Sequence, residues 1–342
     1  MLVHIHVSTI QIGHTHGQRA REQVHRTIVF YTSLFAQTAK IPWSRVLTIA
    51  SDFEPTVREK WPAYLSEMEG LAAGAGVTLL DILAINVRTE INFGLFSDGC
   101  TSLSWLTPET SFLAQNWDWM DAQKENLICL SIAQQGKPRI KIITEAGLIG
   151  KIGLNDAGVG VLLNAIRAKG VDTTRLPCHL ALRMVLESYS KDEAVRTLES
   201  YGIASSCHML VADGETGGVA LEWSFDDGKQ IVKNSKGQVF HSNHYLDPTM
   251  KAKDTNWWAD SGFRVSRIEE LCQEIQTPEM ERVSALFKDE KNFPASICRS
   301  SKEPQTTTSS TLFNIVMELR SRTAKVTLGR PVAPEEEFEI SF

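Results

Sequence analysis

Ser97-Asp98-Gly99-Cys100-Thr101-Ser102-Leu103-Ser104-Trp105-Leu106 is where the sequence changes character. Before it, apolar residues recur with helical spacing. From Thr101 to Leu106 they alternate with period two, the signature of a half-buried strand. Thr107-Pro108-Glu109-Thr110 is a turn signal, and Ser111 to Trp119 reads as the returning strand of a hairpin. A cysteine thus opens the first strand with a glycine before it. The plain reading is a turn glycine followed by a buried cysteine. The chemical reading is that the Cys100 thiol attacks the carbonyl carbon of Gly99. The peptide bond becomes a thioester, and water hydrolyses it. Gly99, lacking Cβ, crowds such an attack least. The new N-terminus would carry a thiol and an α-amino group on one residue. An α-amine with an ordinary pKa of about 7.7–8.0 serves as base for a thiol of about 8.5.

Outward toward the N-terminus, residues 2–12 alternate apolar and polar and read as a strand. Gly13-His14-Thr15-His16-Gly17 then opens a helical stretch to about Lys40, with both histidines in the opening loop. Residues 54–75 place Trp61, Tyr64, Leu65, Met68 and Leu71 on one helical face, and Asp81 to Phe93 forms a third helix capped at Thr78 or Asp81. Toward the C-terminus, strands are expected at Leu127–Ala133, Arg139–Thr144, Gly158–Asn164, His208–Ala212, Gly218–Trp223, Thr311–Glu318 and Ala324–Leu328. Helices are expected at Ala181–Ser188, Lys191–Tyr201 and across 262–290. The sum is an α+β fold of stacked antiparallel sheets with helices outside. The polar run 300–310 reads as a loop.

The whole chain excludes some classes. Its 342 residues are 42% hydrophobic and 22% charged with net charge −6, which disfavours a nucleic-acid partner. No run is long and apolar enough to span a membrane. The start lacks a signal-peptide pattern, so a cytoplasmic location is expected. The six cysteines show no CxxC spacing, and His241 and His244 have no third ligand nearby in sequence, so no metal is expected.

Several blocks in one order resemble the acyl-coenzyme A:6-aminopenicillanic acid acyltransferase (isopenicillin N acyltransferase) family over nearly the whole chain. They are Ile12-Gly13…His16-Gly17, Arg88-Thr89-Glu90, Asp98-Gly99-Cys100-Thr101, Gln115-Asn116-Trp117-Asp118, Lys124-Glu125-Asn126-Leu127, Ile143-Thr144-Glu145-Ala146-Gly147, His241-Ser242-Asn243-His244, Ser296-Ile297-Cys298-Arg299, Thr311-Leu312-Phe313-Asn314 and Leu328-Gly329-Arg330-Pro331. The resemblance implies a four-layer αββα sandwich of the N-terminal nucleophile hydrolase type. It implies cleavage between Gly99 and Cys100 into an α chain (1–99) and a β chain (100–342) that remain one globular unit. It makes Cys100 the nucleophile, Asp118 the catalytic aspartate and Asn243 the oxyanion-hole asparagine, with Thr101, Trp117 and Arg299 beside the substrate. The substrates it implies are an acyl-coenzyme A thioester and the amine of a β-lactam nucleus, with no further cofactor.

Asp118 also fits a structural carboxylate, and Asn243 a turn. Arg264 and Arg267, three apart on one helix face, fit coenzyme A phosphates or surface ion pairs; the ion pairs are the favoured expectation. One departure stands out: the family's Ser-Arg before Thr-Leu-Phe-Asn is replaced by Thr307-Thr308. The chain ends Glu-Ile-Ser-Phe, unlike the family's peroxisomal signal, as expected of a cytosolic paralogue. Three functions remain in play: acyl transfer, amide hydrolysis on the same fold, and an unprocessed paralogue that only binds.

Overall fold

The computed structural model describes residues 8–91, 99–253, 259–301 and 308–342. Two antiparallel sheets lie face to face. The six-stranded sheet has the order β10-β1-β2-β11-β12-β13, and the seven-stranded sheet runs β3 to β9 in sequence order. In the first sheet, β1 is Thr101–Leu106, β2 Ser111–Trp119, β10 Gln238–His241, β11 Ser310–Glu318, β12 Thr323–Arg330 and β13 Ala333–Ser341. In the second, β3 is Leu127–Ile132, β4 Ile140–Glu145, β5 Ile152–Asn155, β6 Val159–Ala165, β7 Cys207–Asp213, β8 Gly217–Trp223 and β9 Gly228–Val232. Helices α8 (Cys178–Leu186) and α9 (Lys191–Tyr201) cover the second sheet, while α10 (Asp260–Gln273) and α11 (Met280–Leu286) cover the first. The N-terminal helices α1 (Thr9–Arg19), α2 (Arg21–Thr38), α3 (Trp43–Ser51), α4 (Glu54–Lys60), α5 (Pro62–Ala75), α6 (Leu79–Asn86) and α7 (Arg88–Ile91) form a layer that shares the main core. This is the αββα sandwich.

Strand β2 shows why the core divides in two. Leu113, Trp117 and Trp119 join the main core, whereas Phe112 and Ala114 belong to a second cluster with Leu103, Ile268 and Phe287 under α10 and α11. Side chains alternate across a strand, so each sheet face collects its own apolar set.

The Gly13/Gly17 block corrects the expected opening loop. The helix starts at Thr9, and His14 and His16 lie within it. The described part of the expected 2–12 strand is therefore helical; residues 1–7 lie outside the described residues. The glycines are needed because α1 and α5 touch backbone to backbone. A Cβ on Gly13 would sit 1.8 Å from the Glu67 carbonyl oxygen, and one on Gly70 would sit 2.0 Å from that of Ile10. We expect Gly70→Ala to cost at least ~2 kcal/mol of stability by denaturant unfolding, since two helix backbones must part to admit one methyl.

Other boundaries move for local reasons. The expected 54–75 helix breaks into α4 and α5 at Trp61-Pro62, because proline in a helix interior removes a backbone bond. Thr78 caps α6 with a reciprocal Asp81 contact, and α6 ends at Asn86. The tail of the expected 81–93 helix lies outside the described residues after Ile91. The 262–290 stretch is two helices, α10 and α11.

Candidate active site

The β1–β2 register sets Thr101 opposite Asn116. Extended one and then two residues outward, that register would set Cys100 opposite Trp117 and Gly99 opposite Asp118. Across β2, Thr311 pairs with Asp118, and a register shift follows between Thr311 and Phe313. A bulge of this kind re-aims side chains where it sits. The turn after β10 closes the other side of β1, since Ser102 pairs with His241. Strand ends from three directions thus converge on Cys100.

Cys100 is fully buried. Its backbone N–H donates to Asn243 Oδ1 at 2.8 Å. Its carbonyl oxygen accepts from Arg264 Nη1 at 2.6 Å and from Ser242 Oγ at 3.1 Å. The Arg264 guanidinium also reaches Thr101 Oγ1 (3.1 Å), Asn243 Oδ1 (2.9 Å) and Asp260 Oδ2 (2.8 Å). Because Oδ1 faces two N–H donors, the Asn243 amide has a defined orientation. Its Nδ2 donates to Ala165 O (2.9 Å), and its backbone N–H to Ser261 Oγ (2.8 Å).

Asp118 is fully buried. Its Oδ1 accepts from Thr311 Oγ1 at 2.6 Å, and its Oδ2 lies 3.4 Å from Arg299 Nε. Burial pushes its pKa up to about 7, against the pull of Arg299, Arg264 and the Thr311 hydroxyl. Asp260 shows the opposite balance. Burial raises it, but Arg264 and Arg299 together hold it below the usual carboxylate range. Arg299, buried and also bonded to Asp260, is lowered by burial and by Arg264. The arrangement offers one carboxyl that changes charge near neutrality and one that stays ionised.

Arg299 also explains Gly99. A Cβ on Gly99 would lie 2.5 Å from Arg299 Nε and 2.8 Å from its Cζ. The guanidinium is itself fixed by Asp260, so it has little room to retreat. We expect Gly99→Ala to slow scission of the 99–100 bond by at least ~10-fold, followed as loss of the full-length band over time; a displacement of about 1 Å at a reacting centre has that reach.

The expected site residues therefore assemble as follows. Gly99, Cys100, Thr101, Asp118, Asn243 and Arg299 come together. Trp117 is fully buried on the other face of β2, with Phe313 tilted against it (5.4 Å between rings) and Lys151 Nζ 3.9 Å from its ring centre. Lys151 in turn pairs with buried Glu145, which Arg88 and Tyr31 also contact. Among the departed positions, Thr308 is exposed and Thr307 lies outside the described residues.

The pairing of Arg264 with Arg267 as surface ion pairs is half corrected. Arg267 does bind Asp289 and Glu270 (2.7 Å each). Arg264 instead is buried on the stripe shared by Ile268 and Cys272. A cation recurring at helical spacing on an apolar stripe is the sequence signal for it. Ser242 touches the Cys100 carbonyl, Asp260 holds Arg264 and Ser261 holds Asn243; none of the three is among the expected site residues. His241 and His244 take protein partners: Glu222 and Ser242 O for the former, Ser261 Oγ for the latter. Among the described residues, no group of three or more His, Cys, Asp or Glu is placed to hold a metal ion.

The chain is similar to several known proteins. A family model described as acyl-coenzyme A:6-aminopenicillanic acid acyl-transferase matches residues 105–333. A protein of Emericella nidulans, the acyl-coenzyme A:6-aminopenicillanic-acid-acyltransferase 40 kDa form, is 40% identical over 336 residues, covering 97% of this chain and 93% of its own. Two variants of the conjugated bile acid hydrolase from Clostridium perfringens share the fold, each at 11% identity. They have TM-scores of 0.50 and 0.51, covering 71% of this chain and 92% of theirs. That likeness places the sandwich in the N-terminal nucleophile hydrolase fold.

Proposed function

Because the chain belongs to the acyl-coenzyme A:6-aminopenicillanic acid acyl-transferase family, we propose that it moves an acyl group from a coenzyme A thioester to the amine of 6-aminopenicillanic acid or isopenicillin N, after cutting itself before Cys100. The observation that carries this is the Cys100 backbone, held on both its N–H and its carbonyl by Asn243, Ser242 and Arg264.

In the first stage Cys100 Sγ attacks the Gly99 carbonyl carbon. The C–N bond breaks, the nitrogen takes the thiol proton, and a Gly99 thioester forms. Water then gives a Gly99 carboxylate and restores the thiol. Asp118, beside Gly99 in the extended register and titrating near neutrality, takes and returns the proton. The freed α-amino group inherits the contact with Asn243 Oδ1 that the backbone N–H makes in the uncut chain. Held there, on the same residue as the thiol, the amine serves as its base.

In the second stage the thiolate attacks the thioester carbon. Coenzyme A leaves with a proton, and an acyl-enzyme remains. The β-lactam amine attacks it, forming the amide and returning Cys100 to the thiol. Asn243 Nδ2, which donates to Ala165 O, has a second N–H to offer the developing oxyanion. Arg264 fixes the backbone beneath it, and Thr101 Oγ1 is fixed by the same guanidinium. Arg299 bounds the position that Gly99 fills in the uncut chain, where the incoming acyl group will lie; Trp117 supports that wall from the core. Residues 1–99 and 100–342 stay together as a heterodimer, because the N-terminal helices and both sheets share one core.

The test is direct. Purified protein is given an acyl-coenzyme A and 6-aminopenicillanic acid, and free thiol and N-acyl product are measured. Equal amounts of both support transfer. Thiol release that ignores the amine, with free acid as product, would instead establish a hydrolase.

A further inference from the structure

Glu222, His208 and His241 form a fully buried group between the sheets that the mechanism above does not use. His241 closes β10 in the six-stranded sheet, while Glu222 on β8 and His208 on β7 belong to the seven-stranded sheet. The two imidazoles stack flat, 3.4 Å between centres and 7° between planes. His241 Nε2 lies 2.8 Å from Glu222 Oε1, and its Nδ1 lies 2.8 Å from Ser242 O. A backbone carbonyl only accepts, so Nδ1 carries a proton. The Glu222 carboxylate also accepts the backbone N–H groups of Leu246 (2.5 Å) and Asp247 (3.1 Å). With two N–H donors already on it, Glu222 is set as an acceptor toward the His241 ring. Both ring nitrogens of His241 thus face oxygen acceptors. Its stacking partner stays neutral, since burial and the neighbouring charge push His208 well below the usual histidine value. His244, in the same turn, also feels both members of this pair, with Arg264.

This pair grips both ends of the turn that carries the active site. Ser242 is held through its carbonyl by His241, and Leu246 and Asp247 through their N–H groups by Glu222. Between these anchors, Ser242 Oγ and Asn243 Oδ1 touch the Cys100 carbonyl and N–H. We propose that Glu222 and His241 are positioning residues: a buried ion pair joining the two sheets that sets where Ser242 and Asn243 meet Cys100. The inference rests on the reading of Cys100 as the nucleophile.

Glu222→Gln keeps the shape but removes the charge that holds the second imidazole proton. We expect its rate of Gly99–Cys100 scission, and kcat in the matured fraction, to fall about 10- to 100-fold with KM for the thioester unchanged within about twofold, the effect of small misplacement at the reacting centre. Leu210→Ala, which opens a cavity in neighbouring β7, serves as the control: it should lower Tm while leaving both rates near wild type. If Glu222→Gln does not fold, nitrogen NMR of the His241 ring in the wild-type chain still decides. Both ring nitrogens should carry protons at pH 7. That measurement can be repeated on Cys100→Ala, so it reads the clamp even if the chain never cuts itself. A folded Glu222→Gln that cuts and turns over at wild-type rate, or a neutral His241 ring at pH 7, overturns the proposal.

Discussion

Cys100→Ala leaves one 38.1 kDa chain that neither splits nor transfers acyl groups. The expected loss in kcat/KM is at least ~10⁴-fold, the scale seen when the nucleophile of an acyl-transfer site is removed. The substitution removes the thiol and leaves the Cys100 backbone in place, so Asn243 Oδ1, Ser242 Oγ and Arg264 keep their backbone partners. Folding should therefore survive, with Tm within a few degrees of the uncut wild type. Cys129, the exposed cysteine, provides the contrast: Cys129→Ala should leave scission and transfer unchanged. Retention of transfer by Cys100→Ala would remove the nucleophile from the account.

Asp118→Asn has the second-largest expected effect, a fall of about 10²–10⁴ in the rate of scission, the usual contribution of a positioned proton acceptor. Its pH dependence separates it from simple damage. Scission precedes the free α-amine, so that group cannot shape the profile. With Asp118 titrating near pH 7, the wild-type rate should rise between pH 6 and pH 8, and Asp118→Asn should lack that limb. Stability should move the other way. The folded pKa lies above the ordinary carboxylate value, so the folded state binds this proton more tightly than the unfolded chain. That advantage is full below about pH 4 and is lost as pH climbs through 7. The Tm of Asp118→Asn relative to wild type should therefore improve as pH rises across that window. An unchanged profile, measured on a folded variant by gel densitometry, would assign Asp118 a structural role.

The hairpin around Cys100 was legible because strand alternation, a turn signal and the Gly-Cys step coincide within twenty-odd residues; β1 and β2 match the expected spans residue for residue. Asn243 was legible only through the resemblance, since nothing in His241-Ser242-Asn243-His244 tells a turn from a site. Strand β13 could not be seen: Ala-Pro-Glu-Glu-Glu-Phe-Glu-Ile-Ser is an exposed acidic edge with almost no apolar alternation. The edge acids themselves discourage further pairing, so the pattern is what protects the strand. Helix α1 was displaced because Gly13 and Gly17 look like loop residues, whereas their reason is the backbone of α5. Asp260, Arg264 and Arg299 meet only in three dimensions: α10 and the segment before β11 bring charges to one strand end, and spacing along the chain carries no trace of that meeting.

The intact mass of the wild-type protein under denaturing conditions, with N-terminal sequencing of each component, decides whether Cys100 is a self-made N-terminus. We expect two fragments of about 11 and about 27 kDa, in proportion to residues 1–99 and 100–342 of the 38.1 kDa chain, the larger beginning at Cys100. A single intact chain, or a cut at any other bond, would contradict that reading.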